Sequence, residues 1–180
     1  NSKFGEAMNF KTPYAIINVS NITRNDIDMF YQGDQITYEA WVYPEQVSPQ
    51  AADFIVTYGN GAAGTGPAAM RISSTQKAIF YVDDGTGNEN AFGTTVIPLR
   101  QWTHFAGTSD NQNLKIYVNG VLEGTSAFSG GLNSLKYILI GRDYIDNYNM
   151  TLDEVAIWNT SLSSDKIAEH AGAKIIDYSQ

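Results

Sequence analysis

Between Trp102 and Gly124, apolar and polar positions alternate in two runs, each closed by a turn signal. Thr103, Phe105 and Gly107 alternate with Trp102, His104 and Ala106; Asp110-Asn111 turns the chain; Leu114, Ile116 and Val118 alternate again; and Asn119-Gly120 turns it once more. A period of two is the pattern of a half-buried strand, because successive side chains point to opposite faces. Asn-Gly between two such runs predicts a tight hairpin, since a type I′ turn needs positive φ at both central residues and these two tolerate it. The segment therefore reads as a β-meander.

The same reading along the chain predicts strands at Ile36 to Tyr43, Phe54 to Tyr58, Ala68 to Ile72, Ala78 to Val82, Thr94 to Ile97, Leu135 to Ile140 and Thr151 to Trp158. Shorter apolar runs lie around Ala7 to Phe10 and Tyr14 to Val19, parted by Pro13, which suits a strand start or an edge because it donates no hydrogen bond. Asp83 to Asn90 reads as a loop, and Lys174 to Tyr178 as a further edge strand. A single helix is predicted over Ser164 to Ala171, capped by Ser163 with Asp165 at its positive end. Lys166 stands where a capping box would place an acid, so half of that device is present. Ile167 and Ala171 share the face that docks. Trp102, Phe105, Ile116, Val118, Trp158 and part of Ile36 to Tyr43 are expected in the core.

Composition agrees with an all-β domain. The 180 residues suit one domain, residues 1–180, large enough to bury about 70% of the unfolded surface. Sixteen glycines, 12% aromatic and 17% charged residues fit a sandwich with many turns. The net charge of −8 and a pI near 4.5 speak against nucleic acid, which demands clustered Lys and Arg. Cysteine is absent, which removes disulfides, thiolate nucleophiles and sulfur-ligated metals from consideration. No apolar run reaches the roughly 18 residues of a spanning helix, so membrane insertion is not expected. A start at Asn1-Ser2-Lys3-Phe4, without Met or a signal-peptide layout, reads as a processed piece of something longer. Four N-x-S/T sequons, at Asn18, Asn21, Asn149 and Asn159, are within what chance supplies and do not settle the compartment.

Three ordered segments resemble the laminin G-like family of the concanavalin A-like lectin and glucanase superfamily. These are I-T-Y-E-A-W-V-Y-P from Ile36, W-T-H-F-A-G-T-S-D with the following L-K-I-Y-V-N-G from Trp102, and L-D-E-V-A-I-W-N-T-S-L-S from Leu152. Together they span roughly residues 36 to 170. The resemblance implies an antiparallel two-sheet jelly-roll β-sandwich. It does not imply one function, because folds host many activities.

Laminarinase-type relatives carry their catalytic carboxylates at alternating positions of one strand. Here Asp153 and Glu154 are adjacent and must point to opposite faces of a strand, and the positions two and four beyond Glu154 are Ala156 and Trp158, so the catalytic pattern is missing. Glu39 and Glu154 would share a face only if their strands neighbour each other. The two histidines, His104 and His170, offer no zinc site of His and Cys type, and His104 reads as structural. Two loops are acidic enough for Ca²⁺: Asp83 to Asn90, otherwise a hairpin turn, and Asp143 to Asn149, where Asp143, Asp146, Asn149 and the nearby Asp153 supply oxygens. Relatives often hold a structural Ca²⁺ between an early acidic motif and the closing D-E-V segment; the early counterpart here carries Lys11 in place of the acid. Tyr144 and Tyr148, interleaved with Asp146 and Asn147, form the mix of aromatic faces and planar polar groups that sugars use, or else anchor their own loop.

The resulting expectation is a non-catalytic recognition or attachment module for glycan within an extracellular or virion-surface protein, with possible structural Ca²⁺. The alternative is a structural or assembly domain that binds a surface protein, and the third reading is a glycoside hydrolase.

Overall fold

A computed structural model of the chain describes residues 8–10, 17–19, 35–59, 68–83, 87–130, 135–141 and 149–172. The strands are β1 (Met8–Phe10), β2 (Ile17–Val19), β3 (Ile36–Pro44), β4 (Ala52–Gly59), β5 (Ala68–Ile72), β6 (Ala78–Asp83), β7 (Asn88–Phe92), β8 (Thr103–Ser109), β9 (Asn113–Val118), β10 (Val121–Ala127), β11 (Leu135–Ile140) and β12 (Met150–Trp158). The helix is α1 (Ser164–Ala171). The strands pair antiparallel in two six-stranded sheets, one in the order β1-β12-β3-β8-β9-β10 and the other β2-β11-β4-β5-β6-β7. This is the expected jelly-roll sandwich.

The core forms between the sheets from one face of each. On β3 the inward residues are Ile36, Tyr38, Ala40 and Val42, and they join Phe54, Met70, Phe80, Phe105, Ile116, Val118 and Leu152 in one buried cluster. Edge-to-face and tilted ring pairs, Tyr38 with Phe80 at 5.8 Å and Phe54 with Phe105 at 5.6 Å, bind the two sheets together. Gly107 is a point of close approach: a Cβ there would strike the Phe80 ring and the Met70 sulfur.

The predicted meander is present. Val118 pairs with Val121 across Asn119 and Gly120, whose φ values of 48° and 80° are those a type I′ turn demands. At the other turn Asp110 accepts the amides of Gln112 and Asn113, which frees Asn111 to adopt φ 64°. Helix α1 has the predicted bounds; Ser163 Oγ accepts the Lys166 amide, and Ile167 is fully buried against Ala106 and Tyr117 on the outer face of the first sheet.

Two expectations change. Thr94 to Ile97 is not a strand, because the Thr94 and Thr95 amides are taken by the Glu123 carboxylate and that of Ile97 by the Gln76 carbonyl. The predicted loop Asp83 to Asn90 is shorter than expected, since Asn88–Phe92 pairs with β6 as an edge strand. Lys174 to Tyr178 lies outside the described residues.

The inter-sheet contact at Gly107 yields a test. Gly107→Ala is expected to lose about 1–3 kcal/mol by overpacking, and Phe105→Ala about 3–5 kcal/mol by leaving a cavity. Urea denaturation of the two variants measures both losses.

Candidate functional site

Strand β3 turns Thr37, Glu39, Trp41 and Tyr43 away from the core, toward the outer face of the first sheet. Its neighbours add to that face: β8 places His104 opposite Trp41, and β12 places Asp153 opposite Trp41 and Ala156 opposite Glu39. Between the last two pairs, Glu154 and Val155 stand against Ala40 alone. That extra residue is a β-bulge, and it reverses which residues of β12 face outward. Before it, Met150 and Leu152 are buried in the core; after it, Val155 and Ile157 pack inward and Trp158 turns outward.

The expectation that Trp158 lies in the core is corrected on this ground. Trp158 is 39% exposed, and Trp102 is only partly buried, its ring set 5.4 Å from that of Tyr43 on the outer side. Phe105, Ile116 and Val118 are in the core as expected. The bulge also voids the argument that Asp153 and Glu154 must serve opposite faces. Glu154 adopts φ 48°, a left-handed conformation that costs an L-residue roughly 1–2 kcal/mol, and its side chain lines the same cleft as Glu39.

The cleft, about 360 Å³, is lined by Glu39, Trp41, His104, Glu154, Ala156, Trp158 and His170. Glu39 is its hub. The Trp158 indole N–H donates to Glu39 Oε1 at 2.6 Å, His170 Nδ1 lies 3.0 Å from both carboxylate oxygens, and His104 Nε2 lies 3.6 Å from Oε2. The Trp158 ring stacks on that of His170 at 5.8 Å, and Trp41 meets His104 edge-on at 5.3 Å. With its side chain only 5% exposed, Glu39 would be pushed up by burial; polar contacts from His104, His170 and Trp158, with the field of His170, outweigh this and hold its carboxyl below its ordinary value of 4.5.

Both histidines are placed by local structure. The Asn119 side chain accepts the His104 amide at 2.9 Å while the Asn119 amide donates to the His104 carbonyl at 2.8 Å, so the hairpin turn fixes that residue's position. His170 rides on the last turn of α1, which is tied to β3 where Thr37 Oγ1 donates to the Thr160 carbonyl and accepts the Leu162 amide. Gly120 packs so closely on Ala168 and Ala171 that a Cβ would crowd the helix backbone. The reading of His104 as a structural residue fits its contacts, whereas the partnership of His170 with Glu39 was missed; no local signal joins residues so far apart in the chain.

Of the residues proposed from sequence to bind ligand, Tyr144, Asp146, Asn147 and Tyr148 lie outside the described residues. So do Asp143 and Asp146 of the calcium set. Its other two members already have work within the fold: the Asn149 carbonyl accepts the Glu45 amide, and Asp153 Oδ1 accepts the Glu154 amide. Among the described residues, no group of three or more His, Asp or Glu is arranged to hold a metal ion; the histidines point at Glu39 rather than with it toward a common centre. Among the described residues, no helix is long and apolar enough to cross a membrane.

A family model of the concanavalin A-like lectin/glucanases superfamily, of laminin G type, matches residues 18–168. No curated protein matches the sequence. Similar solved structures include the binding domain of botulinum neurotoxin serotype C1, with a TM-score of 0.72, 16% identity, and coverage of 94% of this chain and 46% of that one. The serotype D ligand-binding domain in complex with N-acetylneuraminic acid has a TM-score of 0.71 and 13% identity, covering 93% and 42%. The binding domain of neurotoxin DC in complex with rat synaptotagmin II has a TM-score of 0.69 and 17% identity, covering 88% and 40%. The chain thus spans less than half the length of these structures, and at such identities the likeness is one of fold.

The Glu39 hub makes a pH prediction. A carboxylate with a depressed folded pKa contributes stability that is present above its unfolded value and lost as pH falls through the folded one. Stability from Glu39 is therefore complete at neutral pH and fades below about 4.5. Glu39→Gln is expected to cost about 1–3 kcal/mol at pH 7 and to flatten the loss of stability between pH 5 and pH 3, as followed by thermal melts.

Proposed function

Since the chain belongs to the laminin G-like family of the concanavalin A-like lectin/glucanases superfamily, we propose that it is a non-catalytic carbohydrate-recognition module of an extracellular or virion-surface protein. The observation that carries this reading is Trp158, a partly exposed indole fixed at the cleft by its hydrogen bond to buried Glu39. An indole held in one orientation offers its face to the C–H side of a pyranose without first losing rotamer freedom. Exposed Glu154, in the same lining, brings a polar group that can orient hydroxyls. Trp41, Tyr43 and Trp102 continue the aromatic surface along the outer face toward Pro44, which pairs with Met150. Tyr144, Asp146, Asn147 and Tyr148, which precede β12 in the sequence, are the further contacts this reading assigns to the glycan.

In this reading Ca²⁺ is structural and is held through Asp143, Asp146, Asn149 and Asp153. Catalysis is disfavoured because both oxygens of Glu39 are engaged by Trp158 and His170, and the positions two and four beyond Glu154 are Ala156 and Trp158 rather than further carboxylates. A second reading, protein contact, draws on the exposed apolar residues Phe92 on β7 and Val121 and Leu122 on β10, both edge strands.

On a glycan array, the parent protein is expected to retain specific glycans and Trp158→Ala to lose them, while circular dichroism keeps the strand signature. With Ca²⁺ bound at a hundredfold excess over its dissociation constant, chelator should lower the melting temperature by several degrees, for a loss of about 2.7 kcal/mol, and Asp146→Ala should remove the difference. An array on which parent and variant behave alike points to the protein reading.

Incubated with β-glucans and other polysaccharides, the protein is expected to release no reducing sugar. Turnover abolished by Glu154→Gln would establish the hydrolase in its place.

A further inference from the structure

The charge of the cleft bears on which sugars it can take, an inference that rests on the carbohydrate reading above. No Lys or Arg is among its lining residues, whereas two glutamates are. Glu39 has its oxygens occupied by Trp158 and His170, so its charge is felt in the cleft without being available for a direct bond. Glu154 is exposed, and the bulge sets it among the residues that line the cleft. His104, also in the lining, is 2% exposed and faces Glu39 through Nε2, so it offers a ligand little polar surface. An indole face beside a free carboxylate is the arrangement that attracts an ammonium group, through the ring quadrupole and through the ion pair together. A sugar carboxylate meets the reverse. It would lie near two glutamates in a chain of net charge −8, and the two histidines of the lining are turned to Glu39 rather than free to receive it.

We propose that the cleft selects saccharides by charge, binding a hexosamine with a free amino group in preference to its neutral N-acetylated form and rejecting sialylated glycans. Glu154 is the residue that reads the amine, and Trp158 carries the ring.

Calorimetric titration with three probes tests this: a β-linked glucosamine trisaccharide, its fully N-acetylated counterpart, and sialyllactose, at low and physiological salt. The free-amine trisaccharide should bind at least tenfold tighter than the acetylated one, with the margin shrinking as salt rises. Sialyllactose should not bind. In Glu154→Gln the two trisaccharides should bind alike, because the ring contact remains while the charge is gone. Glu154 is exposed and donates no core contact, so this variant folds, and a melt confirms it. Equal binding of the two trisaccharides to the parent, or tightest binding of sialyllactose, overturns the charge inference and leaves carbohydrate recognition standing. A preference for the amine that survives in both Glu154→Gln and Trp158→Ala overturns it as well, since it would reflect diffuse attraction to an acidic protein. If none of the three binds, the inference fails, and the array result decides separately whether the protein binds carbohydrate.

Discussion

The extra residue in β12 governs what the outer face of the first sheet can be. Along a regular strand, Leu152, Glu154, Ala156 and Trp158 would share one side, and Leu152 belongs to the core. A glutamate and an indole N–H would then enter a dry interior without partners, at a cost of several kcal/mol. With Glu154 and Val155 set against Ala40, the apolar side chains Val155 and Ile157 take the inner positions and the polar-tipped Trp158 leaves. The left-handed backbone at Glu154 is the strain by which this is achieved. Bulges re-aim side chains, and this one delivers two of the residues that make the cleft.

Glu39 holds together what the bulge brings out. It draws polar contacts from Trp158 on β12, His170 on α1 and His104 on β8, so elements distant from β3 in sequence are oriented around one carboxylate. Such a centre stabilises only if its oxygens are satisfied, because an isolated carboxylate at that depth would be protonated instead. The polar network and the docking of Ile167 on Ala106 and Tyr117 are therefore mutually dependent: the helix brings His170 only when its apolar face is seated.

Much of this architecture is legible in the sequence, and the failures have one cause. Strict alternation in Ile36 to Pro44 and Trp102 to Val118 marks strands and core, and Asn119-Gly120 marks the hairpin, because these are local consequences of pleat and turn geometry. The helix is equally plain from Ser163 to Ala171. A bulge leaves no such mark. Nothing in D-E-V-A-I-W announces that the count slips by one, so Trp158 reads as core and Asp153 and Glu154 read as opposed. The pairing of Glu39 with Glu154 was conceivable from the order of family motifs, but their common cleft depends on that slip. Likewise, the mis-assigned strand at Thr94 to Ile97 has the right residues, and loses its ladder to a carboxylate, Glu123, that comes from another part of the chain.

The contact between His170 and Glu39 closes a separation of 131 residues. During synthesis, at roughly 5–20 residues per second, that interval lasts about 7 to 26 s. For most of it β3 lacks its second neighbour, because β12 ends only at Trp158, and Glu39 waits for both of its donors, an open acid on an unfinished wall. The cleft is thus completed only after every strand of its sheet has been made. A nascent sandwich has the fold before it has the site, and a ligand present at the moment of synthesis would find the grip closing only once the final helix is out.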